Sequence, residues 1–143
     1  NLHGSLLPLY RGRAPINWAL VNGETETGVT LHHMTTQADA GDIVVQEKLS
    51  IADNDSALTL NQKLCDLASS MLDKVLPEIA SGSATRTTQK HSEATCFSGR
   101  SSEDGEIDWN ATATEAYNLV RAVTQPYPGA FTFTGDRKIT IWS

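Results

Sequence analysis

An α/β fold is what this sequence predicts, and three patterns carry the prediction. Gly28–Met34 alternates Val29, Leu31 and His33 against Thr30, His32 and Met34, the period of a strand, and a second strand is expected from Ile43 to about Ser50. Leu60, Leu64, Leu67, Ala68, Met71, Leu72, Val75 and Ile79 recur at spacings of three and four, the apolar stripe of a long helix. Thr112-Ala113-Thr114-Glu115 has the form of a capping box opening a helix to about Val123. The runs Phe131–Thr134 and Lys138–Trp142, joined through Gly135-Asp136, read as a hairpin.

Taken in order, the chain opens on Asn1-Leu2-His3-Gly4-Ser5-Leu6-Leu7-Pro8. A short apolar strand end there delivers an amide and an imidazole two positions apart, and strand alternation points both to one face. That pairing suits chemistry at a carbonyl: the amide donates to a developing oxyanion while an imidazole, titrating near neutrality, moves a proton. Tyr10-Arg11-Gly12-Arg13 forms a loop feeding a helix from about Ala14 to Val21, with Pro15 in its first turn and Asn22-Gly23 at its end. Two arginines ahead of a helix start make an anion contact reasonable.

His32 and His33 fall on opposite faces of their strand, cannot share a metal, and are each expected to be ordinary strand residues. The polar loop Thr35-Thr36-Gln37-Ala38-Asp39-Ala40-Gly41-Asp42 follows. A carboxylate in such a loop can reach an imidazole and favour its charged form, and Asp39 and Asp42 are equal candidates on the residues alone. Asp53-Asn54-Asp55-Ser56 supplies turn and cap residues for the long helix, which runs to about Ser81-Gly82. Pro77 is expected to kink or interrupt its last turns, and Cys65 is expected to be a small core residue on its stripe. Ser83–Gly105 turns to Ser, Thr, Gly and charge and reads as a connector, while Pro126-Tyr127-Pro128-Gly129 stops the last helix.

Eleven basic against seventeen acidic residues, a net charge of -6, disfavour a broad nucleic-acid footprint. Two cysteines follow neither a metal nor a disulfide spacing, so a reducing cytoplasm is the expected setting. No apolar run approaches the roughly 20 residues that span a bilayer, and no segment resembles a signal peptide. Ser5 is not in a Gly-x-Ser-x-Gly elbow, there is no Gly-x-x-x-x-Gly-Lys phosphate loop, and no cysteine and histidine cluster proposes zinc. The chain has no initiator Met, starts at the candidate Asn1 and stops at Trp142-Ser143 inside an expected strand, so it reads as an internal piece of a longer protein.

Asn1 to Gly12 fits Asn-x-His-x-Ser-Leu-Leu-Pro-x-x-x-Gly, which resembles the signature of folate-dependent formyltransferases. The fuller run to Pro15, with Gly23–His32 and Ala38-Asp39-Ala40-Gly41-Asp42, extends the likeness along the chain. The Gly4-Ser5 and Tyr10-Arg11-Gly12-Arg13 versions of the motif, with the acidic charge, favour the sugar-nucleotide type over the methionyl-tRNA type. The resemblance implies the second half of a Rossmann-like formyltransferase catalytic domain over residues 1–100. The truncated start of a small OB-like β subdomain follows over residues 101–143.

It further implies 10-formyltetrahydrofolate as co-substrate and no metal. The expected acceptor is a UDP-amino-sugar, specifically UDP-4-amino-4-deoxy-L-arabinose. No nucleic-acid partner and no membrane insertion are expected, and the full-length form is expected to be a homo-oligomer. In that likeness Asn1 donates to the oxyanion, His3 moves the proton, and Asp39, now separated from Asp42, orients His3. Arg13, Thr35, Thr36, Gln37, Ala38 and Asp39 line the folate site. Methionyl-tRNA formyltransferase and a non-catalytic folate- or nucleotide-binding module are the alternatives. On its own the piece is expected to expose apolar edges, to be poorly stable and to be inactive.

Overall fold

Backbone pairing begins at the opening tripeptide. In the computed structural model, which describes residues 1–143, strand β1 (Leu2–His3) lies antiparallel to β3 (Glu26–His32), with Leu2 opposite Leu31 and His3 opposite Thr30. Strand β3 pairs antiparallel with β4 (Ile43–Ser50), giving a sheet of order β1-β3-β4. The second strand has its expected bounds, whereas the first begins and ends two residues early. A register irregularity between Leu31 and His32 ends it, and the His33 N–H donates to Asp42 O at 2.9 Å, closing the following loop.

Helix α1 (Pro15–Val21) starts on its proline. Helix α2 (Ala57–Ser81) opens on Ser56, which exchanges capping bonds with Thr59, and closes on Gly82 in the left-handed conformation. Of the two expected outcomes at Pro77, interruption does not occur: α2 runs on through it. It sits on an exposed last turn, and the carbonyl that it leaves without a donor belongs to exposed Asp73, where water can serve it. The stripe also needs two corrections. Leu60, Leu64, Met71 and Val75 are buried, but Cys65 is exposed, one position past the stripe, and Ile79 is 44% exposed because the last turns run beyond the core.

The stretch read as a connector carries structure of its own. Thr87 exchanges backbone hydrogen bonds with Ile43, and strand β5 (Cys96–Phe97) pairs in parallel with β2 (Arg11–Gly12). Phe97 stacks on Tyr10 and packs against Trp18, over which Arg100 lies at 4.5 Å. Helix α3 (Ala113–Val123) has the expected Thr112–Glu115 capping box, and β6 (Ala130–Thr134) and β7 (Arg137–Ile141) form the expected hairpin.

One apolar cluster joins these parts. Ala19 and Leu20 of α1, Val29 of β3, Leu60, Leu64 and Met71 of α2, Ala122 and Val123 of α3 and Ala130 of β6 pack together. Asn17, buried in α1, donates to Ala122 O at 2.7 Å and ties α1 to α3. No helix is long and apolar enough to cross a membrane.

Thr30 fixes the loop after β1. It is fully buried, donates to Ser5 O at 2.7 Å, and accepts from Leu7 N at 3.2 Å and Gln46 Nε2 at 2.8 Å. Thr30→Val keeps the shape but strands these groups, so urea unfolding should show a loss of about 1–3 kcal/mol. Leu60→Ala, at a site with no exposure, should cost about 2–5 kcal/mol.

Candidate active site

The β1–β3 register places four side chains on one face. His3 stands opposite Thr30, and one step of two along each strand brings Asn1 opposite His32. The pairing is completed by Asn1 N donating to His32 O and His32 N donating to Asn1 O, both at 2.9 Å.

The hydrogen bonds assign the ring nitrogens. His3 Nε2 lies 2.7 Å from Tyr10 O and His32 Nδ1 lies 2.9 Å from His33 O; a carbonyl only accepts, so both of these nitrogens carry hydrogen. The opposite nitrogens, His3 Nδ1 and His32 Nε2, are therefore turned toward the rest of the cluster. Asn1 Nδ2 lies 3.2 Å from His32 Nε2 and donates to it, which fixes the amide orientation and leaves its second hydrogen for another acceptor. Burial holds His32 below the ordinary imidazole range, so it is neutral near pH 7 and keeps that acceptor.

Asp39 completes the cluster from the loop. Its Oδ2 accepts from Gly12 N at 2.8 Å, and its Oδ1 stands 3.7 Å from His3 Nδ1 and 3.5 Å from His32 Nε2. Both separations are too long for a strong direct hydrogen bond. The Tyr10 carbonyl holds one nitrogen of His3, and the Asp39 carboxylate faces the other nitrogen of His3 and the His32 ring. Asp42 is engaged elsewhere, since the Arg86 Nε–H donates to it at 2.8 Å and holds its carboxyl below the usual range.

Local backbone geometry makes this placement possible. Tyr10 and Asp39 occupy the left-handed region at φ 58° and 51°, conformations that the surrounding contacts must impose on non-glycine residues. Gly41 has no alternative, because a Cβ there would lie 1.8 Å from His33 O.

Of the remaining sequence candidates, Arg13 is exposed with its side chain against Gly99. Thr35, Thr36, Gln37 and Ala38 form the exposed approach to Asp39, where the Thr35 hydroxyl donates to Gln37 O at 2.8 Å. His32 was missed by sequence reasoning. Its only signal was sharing the Thr30 face of β3, which gains meaning once the β1 pairing is known. No group of three or more His, Cys, Asp or Glu residues is arranged to hold a metal ion. A cavity of about 1160 Å³ lies between Val21–Thr25 and α3 and includes none of the four clustered residues. The amide, imidazoles and carboxylate converge outside this cavity, and their convergence defines the candidate site.

The family described as formyl transferase matches residues 1–76, and the formyl transferase C-terminal domain matches residues 100–143. WlaRD, a sugar 3N-formyl transferase solved with dTDP and 5-N-formyl-THF, superimposes with a TM-score of 0.81 at 30% identity, over 85% of this chain and 45% of its own. An N-formyltransferase from Helicobacter canadensis, in complex with folinic acid and dTDP-3-aminofucose, gives 0.80 at 28% identity, over 85% and 46%. A 4-N formyltransferase from Francisella tularensis gives 0.88 at 27% identity, over 99% and 60%. The chain therefore spans about half the length of the first two.

The depressed His32 titration has a stability consequence. Between its folded value and the unfolded value of about 6.5, the unfolded chain binds more protons than the folded one, so stability falls as pH drops through that window. Urea midpoints measured from pH 7.5 to about pH 5 should show this loss, and His32→Gln should flatten the dependence in the same window.

Proposed function

The chain belongs to the formyl transferase family, and from that premise we propose that it carries the reacting cluster of a sugar-nucleotide formyltransferase. The reaction moves a formyl group from 10-formyltetrahydrofolate to the 4-amino group of UDP-4-amino-4-deoxy-L-arabinose, in the cytoplasm, as a step of lipid A modification that confers polymyxin resistance. The observation that supports this reading is the convergence of Asn1, His3 and Asp39, from segments more than thirty residues apart, on one face of the sheet. The likeness to the Francisella tularensis 4-N formyltransferase supports a 4-amino acceptor, and the Gly4-Ser5 and Tyr10–Arg13 forms of the motif, with the acidic charge, support a sugar nucleotide over methionyl-tRNA.

In this mechanism the neutral amine attacks the formyl carbon and a carbon–nitrogen bond forms. The carbonyl electrons move onto oxygen, where the free Asn1 amide hydrogen stabilises the oxyanion. The new ammonium gives up a proton toward His3 Nδ1, with Asp39 stabilising the imidazolium. Collapse breaks the bond to folate N10, which takes a proton in exchange, so the proton count balances. Arg13 and the Thr35–Ala38 approach contact the folate, and the catalytic part passes into the β subdomain near residue 100.

In the full-length protein, formyl transfer to the UDP-4-amino sugar should exceed transfer to a dTDP-amino sugar by about tenfold or more in kcat/KM, with methionyl-tRNA inert. Asn1→Ala should lower kcat about 10²- to 10³-fold with KM nearly unchanged. Undiminished turnover in that variant removes the amide from the mechanism, and ligand binding without turnover in the unaltered protein favours a non-catalytic module.

A further inference from the structure

Arg11 presents a puzzle of charge. Its residue is only 3% exposed, yet it forms no ion pair with any carboxylate. A buried guanidinium without an anion needs strong neutral acceptors. Here Nη2 and Nε donate to Gln89 Oε1 at 2.6 and 3.2 Å, and Nη2 donates to His91 Nδ1 at 3.0 Å.

Because a guanidinium can only donate, it forces the oxygen of the Gln89 amide toward itself. The amide nitrogen must then face the other way. Gln89, itself 4% exposed, donates both of its amide hydrogens to backbone carbonyls, to Asp39 O at 2.8 Å and to Gly41 O at 2.6 Å. These are the carbonyls flanking the left-handed turn that aims the Asp39 side chain at His3 and His32. The residue after Arg11 supplies the third restraint, the Gly12 N–H on Asp39 Oδ2.

The geometry points to Gln89 as a positioning residue for the Asp39 carboxylate, with Arg11 setting the direction of its amide. This rests on the proposed role of Asp39. Gln89 touches neither reacting group: it holds the carbonyls on both sides of Ala40, so the turn cannot relax toward an unstrained conformation that swings the carboxylate away. It comes from residues 77–99, the stretch between the two segments matched by the family.

Two substitutions separate this role from simple neutralisation of Arg11. Gln89→Glu keeps an acceptor for Arg11, now as an ion pair, but sets oxygen against the Asp39 and Gly41 carbonyls. Gln89→Met keeps the side-chain length and loses both functions. In the full-length protein, Gln89→Glu should keep its thermal midpoint within about 3 °C of the unaltered protein. Its kcat should nonetheless fall about tenfold to a hundredfold with both KM values within about twofold. Gln89→Met should lose kcat to a similar extent.

If Gln89 serves only to neutralise Arg11, Gln89→Glu restores turnover that Gln89→Met loses, and the inference is overturned. Undiminished kcat in either variant overturns it as well, and a selective kcat loss in folded Gln89→Glu supports it. Asn1→Ala, assayed alongside, separates the two levels: an inactive Asn1→Ala beside a fully active Gln89→Glu sinks only the positioning role, whereas an active Asn1→Ala sinks the formyl-transfer mechanism beneath it.

Discussion

The register between β1 and β3 is the constraint on which the rest of the site depends. With His3 opposite Thr30, the next pair outward is Asn1 and His32, and all four side chains point to one face. A slip of one residue would turn Asn1 and His3 to the other side of the sheet. Thr30 guards against it, because its hydroxyl serves the backbone of both Ser5 and Leu7 and the side chain of Gln46, a set satisfied only in this alignment. The buried polar residue that stabilises the loop and the geometry that assembles the cluster are therefore one feature.

Around that register, much of the positioning is done by backbone. A carbonyl holds His3, a peptide N–H holds Asp39, and a further carbonyl selects the His32 tautomer. Each of these groups belongs to a loop or strand end that substitutions cannot delete, though they can displace it. Tyr10 and Asp39 in the left-handed region each cost on the order of 1–3 kcal/mol, sustained by the parallel β2–β5 pair, the Tyr10–Phe97 stack and the Arg11–Gln89 contact. Neutral His32 beside the carboxylate completes the arrangement: Asp39 meets two rings that each donate to a main-chain carbonyl, of which His32 also accepts from Asn1.

What was legible in the sequence was local. Strand β4, the caps of α2 and α3, and the β6–β7 hairpin follow from short-range periodicity, capping residues and turn chemistry, which act within a few positions. The shared face of Asn1 and His3 follows from strand alternation in the same way. What stayed hidden depended on pairing between distant segments. His32 looked like an ordinary strand residue until Asn1 was set across from it, and Asp39 and Asp42 were equal on the residues alone, separated first by the resemblance and then by the Arg86 bond to Asp42. Cys65 and Ile79 were misplaced because a stripe read along a helix does not disclose where the core beneath it ends.

The stretch from Thr87 to Phe97, low in apolar content and outside both family-matched segments, is bonded to β4, to the Asp39 turn and to Arg11–Gly12. For anyone recombining relatives of this protein, a crossover between residues 76 and 100 is the tempting junction, since it falls where recognisable family sequence pauses. It would hand one parent's reactive loop to another parent's brace. Chimeras that exchange the first segment should carry Thr87–Phe97 along with it as a single inherited block.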